Sequence, residues 1–312
     1  MPNESTFDPA IQTENIAFSP DEMAACGKCG RNNAPGRPSC IYCGERLADG
    51  VEHLADVRAA EDWEPAFNVI ITGGESSASD IAKAASKYGV GLPFARLAES
   101  EDASATVAEL SGRHISGLVV PDTLLAVEWP HVRLSSIEFG VGQLRFTDRN
   151  TGKITESNTA DIALVVVGML FNSRVDTLEK RKRGAEAKRL DESAADEFEP
   201  VVDIYIAGDA RGFRVTCSGF DFRCLGDEMT MFAAKNITLL VEHLRRALPH
   251  TKFVECYREV RPLLENVWPT TIRREPQGFL RAGLGKKGFG RSEISSNAAQ
   301  FDRFSRTQFH IL

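Results

Sequence analysis

Four cysteines near the N-terminus have the residue type and the spacing of a metal site. Cys26 and Cys29 form one Cys-x-x-Cys pair, and Cys40 and Cys43 form a second pair after ten intervening residues. Each pair presents two thiolates from one tight bend, so the two pairs together supply the four soft ligands that a tetrahedral Zn²⁺ prefers. Because four thiolates complete this shell, no position remains for a reactive water. The pattern therefore predicts one structural Zn²⁺ and no metal-assisted chemistry.

Residues 24–48 resemble the small zinc ribbon found at one end of many prokaryotic multidomain proteins. In that family a glycine follows each cysteine pair, an Asn and a Gly recur between the pairs, and a Leu comes after the second pair. The corresponding residues here are Gly30, Gly44, Asn33, Gly36 and Leu47. The spacing also resembles eukaryotic zinc fingers that read single-stranded RNA, in which Asn33 would match. Ala25 stands where those fingers carry Trp or Phe, which disfavours the RNA-binding interpretation.

No catalytic group can be recognised in the rest of the chain. The six histidines are scattered without metal-ligand spacing, and no Gly-x-Ser-x-Gly elbow occurs. Cys217 and Cys224 alternate with aromatic residues and are predicted to be small core residues. Cys256 follows His250 by six residues, which is too little to indicate a nucleophile and its base. The sequence therefore predicts a protein without catalytic or organic-cofactor residues.

A glycine-containing loop, residues 72–79, lies between a predicted strand and a predicted helix. Backbone N–H groups at such a position can hold a phosphate. The loop has neither the Walker lysine nor the Rossmann glycine spacing, and Glu75 would repel an anion. We interpret Gly73-Gly74 as a structural turn, with a nucleotide site as the alternative.

The bulk properties indicate a globular protein of about two domains with tails. The chain has 312 residues, 42% hydrophobic residues, a mean hydropathy of -0.22 and a formal net charge of -7. The acidic balance argues against phosphate binding by the chain as a whole. No apolar run has the length of a membrane span, so none is predicted. Zinc-type cysteine pairs with three further cysteines fit a reducing compartment, and we expect a cytoplasmic location.

Residues 67–128 show the pattern of a small βαβαβ module. Strands are predicted at 67–72, 92–97 and 116–120, with helices following the first two. Ser77 and Asp80 resemble a capping box at the first helix, and Gly89 is predicted to end that helix. Residues 1–23 are predicted to be a disordered arm, and residues 49–66 a linker.

Residues 129–270 show short alternating strands followed by a helix, which is the order of a pleckstrin-homology-like (PH-like) antiparallel barrel or sandwich. Phe220–Cys224 is predicted as the last of seven strands. The apolar positions Ile237, Leu240, Val241, Leu244 and Leu248 mark the closing helix. A highly charged stretch, residues 176–200 with the cluster Lys180–Arg183, is predicted to be a solvated loop. Tyr257, Val260, Leu264 and Trp268 indicate one more helix, and residues 271–312 are predicted to be a flexible tail.

The fold class predicted from these patterns is α+β, and the predicted function is binding. We expect a non-enzymatic zinc protein that binds another protein through its ribbon as an interaction or regulatory adaptor. One alternative is a nucleic-acid-binding protein that uses Lys28, Arg31, Arg37 and Arg46 together with the basic tail segment Arg281–Arg291. Another is a nucleotide-handling enzyme that uses the Gly73-Gly74 loop. The sequence leaves the partner and the oligomeric state open.

Overall fold

The computed structural model describes residues 24–33, 40, 42–43, 58–61, 64–74, 79–125, 129–180, 188–209, 211–281 and 287–312. The chain divides into two compact units, Met1–Val57 and Arg58–Leu312. In the first unit, strand β1 (Ala24–Ala25) pairs antiparallel with β2 (Asn32–Asn33). The predicted disordered arm, residues 1–23, lies outside the described residues.

A three-stranded sheet and its helices confirm the elements predicted for the small module. The elements in chain order are β3 (Phe67–Gly74), α1 (Asp80–Tyr88), β4 (Leu92–Leu97), α2 (Ser100–Gly112), β5 (Ile115–Pro121) and α3 (Asp122–Leu125). The strand order is β4-β3-β5, and β3 is antiparallel to both neighbours. Consecutive residues Val69, Ile70 and Ile71 are all buried, as expected for a central strand with both faces covered.

The ends of α1 confirm one prediction and correct another. Gly89 ends the helix in the left-handed conformation, with φ of 63°, which glycine adopts without a steric penalty. The N-cap is Ser79, whose side chain accepts a hydrogen bond from the Ile81 N–H, so the capping box predicted from Ser77 and Asp80 is wrong. A serine one residue before the first helical residue is better placed to reach the free N–H groups of the first turn.

The predicted linker, residues 49–66, is in part a strand-like extension of the module. Ala59 forms a bridge with Leu97, and Ala60 N–H donates to the Arg96 carbonyl over 3.0 Å. The exposed edge of β4 offers these hydrogen bonds, which satisfy the backbone without apolar side chains. Residues 49–57 lie outside the described part.

A second sheet of nine strands forms the larger part of this unit and confirms the α+β class. Its strands are β6 (Val132–Phe139), β7 (Gln143–Asp148), β8 (Ile154–Asn158), β9 (Ile162–Lys180), β10 (Lys188–Ile206), β11 (Phe213–Thr216), β12 (Lys252–Val254), β13 (Thr271–Arg281) and β14 (Lys287–Ser296). The order is β13-β14-β9-β10-β11-β6-β7-β8, with β12 also paired to β9. The pairs β11–β6 and β12–β9 are parallel, which departs from a purely antiparallel barrel.

The predicted closing helix is confirmed as α4 (Ala233–Ala247). Its predicted apolar positions are all buried in one core with residues of β6, β7, β9, β10 and β11. The next helix, α5 (Tyr257–Leu264), ends four residues before Trp268, which is nevertheless fully buried and donates its indole N–H to Asn68 over 2.9 Å. Within the described part of the chain, no helix is both long and apolar enough to cross a membrane.

The seventh predicted strand, Phe220–Cys224, is wrong. A 3-10 helix occupies Phe222–Glu228 instead, and the Asp221 side chain accepts a hydrogen bond from the Arg223 N–H at its start. Phe220 and Phe222 are both buried, with ring centroids 4.9 Å apart. The apolar alternation was real, but a local carboxylate cap favours a turn over a strand.

The solvated loop predicted for residues 176–200 is also wrong for residues 176–180 and 188–200, whereas residues 181–187, with most of the cluster Lys180–Arg183, lie outside the described residues. Strand β9 continues to Lys180, β10 begins at Lys188, and the two pair along almost their whole length. A further strand, β14, covers the other edge of β9 from Asn172 to Glu179. Backbone pairing on both sides of β9 stabilises an exposed ribbon whose charged side chains remain in water, which hydrophobic patterning does not reveal.

The flexible tail predicted for residues 271–312 is corrected to the hairpin β13–β14 and helix α6 (Ala298–His310). Helix α6 buries polar side chains, several of which have defined partners. The Gln308 side chain accepts from Gly91 N–H and donates to Gly91 C=O, both over 2.8 Å. Asn297 likewise accepts from Phe171 N–H and donates to Met169 C=O. A helix buried through hydrogen bonds has a polar sequence, and composition therefore suggested disorder.

Candidate functional site

The four predicted cysteine ligands come together in the first unit. The sulfur atoms of Cys26, Cys29, Cys40 and Cys43 all lie within 4.8 Å of one another. The Cys26 and Cys43 sulfurs are 3.6 Å apart, and those of Cys29 and Cys40 are 3.5 Å apart. Both distances far exceed the roughly 2.05 Å of a disulfide bond. Four thiols held this closely without bonds between them have the geometry to hold a single metal ion.

The donor set fits a tetrahedral ion of the size of Zn²⁺. A Zn–S bond of about 2.3 Å places the sulfurs of a regular tetrahedron about 3.8 Å apart. The separations of 3.6 Å and 3.5 Å lie slightly inside this value, and no two of the four sulfurs are more than 4.8 Å apart. Sulfur donors select zinc and other soft ions over Mg²⁺ or Ca²⁺, which prefer oxygen.

The backbone of the first bend positions Cys26 and Cys29. Gly30 has a φ of 69°, in the left-handed region, and its N–H donates to the Cys26 carbonyl over 2.8 Å. The Cys26 N–H donates in turn to the Arg31 carbonyl over 3.0 Å, next to the pairing of β1 with β2. A side chain at position 30 would be strained in this conformation, which explains the glycine after the first pair. Gly36, Gly44 and Leu47 lie outside the described residues.

The surroundings of the sulfurs favour the thiolate form that a metal requires. Backbone N–H groups of Cys29 and Lys28 are the main cause that lowers the pKa of Cys26. Burial opposes ionisation of Cys40, but hydrogen bonds from the Tyr42 and Cys43 backbone and from Asn33 outweigh it and lower its pKa to about 6. A metal then displaces fewer protons at neutral pH.

Asn33 links the strand pair to the metal ligands. Its side-chain amide is buried and donates to the Cys40 sulfur over 3.6 Å and to the Arg31 carbonyl over 2.9 Å. The first bond orients one ligand, and the second ties that ligand to the bend that holds the other cysteine pair. The Asn of the zinc-ribbon pattern therefore has a physical role as a positioning residue.

The substitution Asn33→Ala is expected to weaken metal binding by about 10- to 100-fold, because outer groups that orient metal ligands contribute this much. Competition with a chromophoric chelator measures the change. Asn32→Ala on the adjacent exposed position is the matched control and should bind like the wild type. Equal affinities for the two variants would contradict the role assigned to Asn33.

The outer surface of the second bend carries an aromatic residue. Tyr42 is 52% exposed, and the guanidinium carbon of Arg31 lies 4.7 Å from the centre of its ring. This stacking joins the two bends on the side that faces solvent. Of the other basic residues that the sequence assigned to this surface, Lys28 is exposed, whereas Arg37 and Arg46 lie outside the described residues.

The Gly73-Gly74 segment makes contacts within its own module. The Gly74 N–H donates to the Ser86 hydroxyl over 3.1 Å, and that hydroxyl donates to the Gly74 carbonyl over 3.2 Å. A side chain at position 74 would approach the Ile115 Cα to 3.0 Å. These glycines therefore allow a close approach between β3, β5 and α1. Residues 75–78 of the loop lie outside the described part.

The remaining cysteines have the properties of protonated thiols. Burial raises the pKa of Cys217, and it raises the pKa of both Cys224 and Cys256 to about 11. The thiolate fraction at neutral pH is then very small, which disfavours a nucleophilic role. Cys224 and Cys217 pack against the core below α4, as predicted.

A buried ion cluster, which the sequence did not predict, lies between β10, β11 and α6. Its centre is Asp203, which is fully buried and accepts two hydrogen bonds of 2.7 Å from the Arg214 guanidinium. Arg214 also lies 2.7 Å from Asp302 of α6. Desolvation is the largest single influence on the Asp203 carboxyl and acts to raise its pKa, but Arg214, His131 and Ser305 together outweigh it, so the pKa is lowered. The one feature of the sequence that could have indicated this cluster is Asp203, an acidic residue within the apolar segment Val201–Ile206.

A chain of hydrogen bonds connects His131 to the same carboxylate. The Ser305 hydroxyl donates to Asp203 over 2.7 Å, so its oxygen must accept from Tyr205 at 2.8 Å. The Tyr205 oxygen can then accept from the Nε2–H of a neutral His131 at 2.9 Å. Burial is the main reason that the pKa of His131 falls to about 4. These side chains are enclosed, which favours a role in holding α6 to the sheet.

His131 is expected to make unfolding easier as the pH falls from about 6.5 to about 4. Its pKa is near 6.5 in the unfolded chain and about 4 in the folded one, so acid favours the unfolded state over this interval. The loss is of the order of 3 kcal/mol, because each pKa unit corresponds to about 1.4 kcal/mol. Urea unfolding at a series of pH values measures it, with His131→Gln as the control. Parallel pH profiles for the two proteins would contradict the assignment.

Comparison with known proteins supplies no relative for this chain. No protein-family model matches it, no curated protein matches it, and no solved structure matches it. The functional assignment therefore depends on the residues and the geometry described above.

Proposed function

We propose that this chain is a non-enzymatic zinc protein that binds another protein, with the bend between β1 and β2 and the second cysteine pair as its docking surface. The observation that carries the proposal is the set of four thiols within 4.8 Å, because it supplies a complete tetrahedral shell with no place for a substrate. A full thiolate shell folds a segment too small for a core of its own and presents its outer residues rigidly. We place the protein in the reducing cytoplasm, where such thiols stay unpaired.

The outer surface of the site supports a protein partner. Tyr42 offers an exposed aromatic ring that Arg31 holds in place. Tyr and Arg are among the residue types that contribute most to protein interfaces, and a Tyr ring buries a large area at a small entropic cost. A rigid metal-folded bend reduces that cost further.

Pull-down from a lysate, with partners identified by mass spectrometry, tests the docking surface. Three baits are compared: the full chain, Cys26→Ser/Cys29→Ser, which removes the metal, and Tyr42→Ala, which leaves all four ligands. We expect both variants to lose the same partner. Tyr88→Ala, on α1 in the other unit, is the matched control and should retain it. Identical partner lists for all four baits would remove the docking role.

A nucleic-acid-binding function is the second candidate, and the stacking of Arg31 on Tyr42 favours it. An exposed aromatic ring beside a cation can stack on a base and contact a phosphate. Fluorescence anisotropy with a labelled single-stranded RNA distinguishes the two functions, because binding that depends on phosphate weakens steeply with salt. Binding that is absent or insensitive to salt would eliminate this candidate.

Two finer assignments remain part of the proposal. We propose that the sheet from β6 to β11 and the helix α4 form a PH-like unit, which the strand order along β6-β7-β8 and the closing helix support.

The alternative of a nucleotide-handling enzyme at Gly73-Gly74 has less support, because the Gly74 N–H already donates to Ser86. A thermal-shift screen with nucleotides tests it, and the absence of any stabilisation would remove it.

A further inference from the structure

A four-stranded extension of the large sheet has two outer edges. The extension consists of residues 172–180 of β9, 188–200 of β10, and the strands β13 and β14, in the order β13-β14-β9-β10. Strand β11 pairs with β10 only from Val201 to Ile204. Within the described residues, therefore, the outer edges of residues 188–200 and of β13 have no strand beside them. Unpaired N–H and C=O groups along such edges can bind another strand.

The two outer edges carry opposite charges. On β10, the acidic pairs Asp191-Glu192 and Asp196-Glu197 flank the small residues Ser193-Ala194-Ala195. On β13, Arg273 and Arg274 are adjacent, and their side chains are 75% and 60% exposed. Each arginine has one ion pair within its own chain, to Glu275 and Glu293 respectively, at 2.8 Å. Such exposed pairs contribute little, so the arginines can turn to other carboxylates at small cost.

The charges select which edges can meet. If the β10 edges of two copies paired, four carboxylates of each would face those of the other, and two β13 edges would bring arginines together. Like charges directly across a strand pair are destabilising, whereas opposite charges contribute favourably. Pairing of a β10 edge with a β13 edge avoids both repulsions.

The strand directions also allow this pairing. Strand β13 is antiparallel to β14, β14 to β9, and β9 to β10, so β13 and β10 run in opposite directions. A second copy shifted along the hydrogen-bonding direction therefore places its β13 antiparallel to β10 of the first. The combined sheet keeps its antiparallel alternation without any rotation of the second copy beyond the normal sheet twist.

The register within the extension places the arginines opposite the small residues. Ala195 pairs with Arg174, Arg174 with Ile294, and Ile294 with Arg273, so these positions lie at one level across the sheet. By the same route, Ala194 lies level with Arg274. In a shifted copy, each arginine would therefore face an alanine, which leaves room for its long side chain.

Carboxylates then lie on both sides of Arg274 and on one side of Arg273. Glu197 is the diagonal neighbour of Arg273, and Asp196 and Glu192 are those of Arg274, on the same face of the sheet. Diagonal neighbours are about 7–8 Å apart, within reach of an arginine side chain. Pro276 and the irregularity that follows it limit the paired segment to Thr271–Glu275.

We propose that copies of this chain associate head to tail, with Ser193–Glu197 of one copy paired to Thr271–Glu275 of the next. The two surfaces differ, so the contact is heterologous and repeats along an open chain. A five-residue strand pair buries little area, so the association is weak and depends on concentration. This inference goes beyond the proposed docking function and does not involve the metal site.

Sedimentation velocity of the full chain at increasing concentration in low salt tests the proposal. We expect the weight-average sedimentation coefficient to rise with concentration and to fall back toward that of the monomer in high salt. Arg273→Glu/Arg274→Glu and Asp196→Lys/Glu197→Lys each remove one edge, and each should remain monomeric alone. An equimolar mixture of the two variants should assemble again, because the acidic β10 edge of one variant meets the basic β13 edge of the other, and the two charge-exchanged edges are also complementary.

Two controls separate this contact from misfolding and from the metal site. Lys83→Glu/Arg113→Glu changes the charge equally on α1 and after α2, and it should assemble like the wild type. Cys26→Ser/Cys29→Ser should also assemble like the wild type. Circular dichroism melting confirms that the edge variants are folded, and the quadruple edge variant, with both charges exchanged, should regain assembly. A wild type that is monomeric at every concentration, edge variants that assemble alone, or a mixture that stays monomeric would overturn the proposal.

Discussion

Replacing Cys26 and Cys29 together by serine is expected to abolish stoichiometric zinc in the purified chain. Two of the four sulfurs within 4.8 Å are then lost, and two thiolates cannot complete a tetrahedral shell. Binding to a structural zinc site contributes an apparent free energy of about 10–16 kcal/mol at neutral pH, so this is the largest effect that we expect from any change in the chain. Without the bound ion, the bend between β1 and β2 has no core to keep it folded.

Metal content measured by inductively coupled plasma mass spectrometry tests this prediction. The wild type should contain one zinc per chain and the double variant almost none. Cys256→Ser is the matched control, because that thiol lies in the other unit and burial raises its pKa to about 11. A wild type without zinc, or a double variant that retains one equivalent, would contradict the assignment of the site.

The second large effect is expected at the buried ion pair of Asp203 and Arg214. Asp203→Asn leaves the Arg214 charge in the interior without its bidentate partner, and Arg214→Met leaves the Asp203 carboxylate uncompensated. Breaking a buried pair in this way costs about 3–5 kcal/mol. That is a large part of the 5–15 kcal/mol by which a typical protein is stable.

Urea unfolding of the single variants and of the double variant measures the coupling. We expect the double variant to lose less stability than the sum of the two single losses, because removing both charges leaves neither uncompensated. Arg113→Met is the control, since Arg113 is exposed and pairs with Glu109 on the same helix. It should change the free energy of unfolding by less than about 1 kcal/mol. Losses that simply add would show that the two side chains do not act as a pair.

The four ligands could be predicted because their signal is local. Each of the two Cys-x-x-Cys bends holds its two sulfurs on one side before the rest of the chain folds. The glycine after the first pair and Asn33 also follow from local backbone and hydrogen-bond requirements. The buried ion cluster could not be predicted in the same way, because its members His131, Asp203, Arg214 and Asp302 are far apart in the chain. Asp203 within an apolar strand was the one local indication.

The amphipathic elements were predicted correctly for a related reason. In α4, apolar residues at helical spacing face a core, and in the small module buried strands alternate with helices. Each of these patterns arises because apolar side chains are buried against other apolar side chains. The 3-10 helix at Phe222–Glu228 shares the apolar alternation of a strand, and only the Asp221 cap distinguishes it.

The sequence alone determined the four-cysteine cluster, the α+β class and the helices that bury an apolar face, because all three depend on residues that are close in the chain. Only the tertiary structure revealed the strands and the helix within residues 176–180, 188–200, 271–281 and 287–312. There the backbone pairs with distant strands, and polar side chains such as Gln308 find partners more than two hundred residues away. Hydrogen bonds between segments that are remote in the chain stabilise these regions. Neither hydrophobic periodicity nor composition indicates which of these segments will pair.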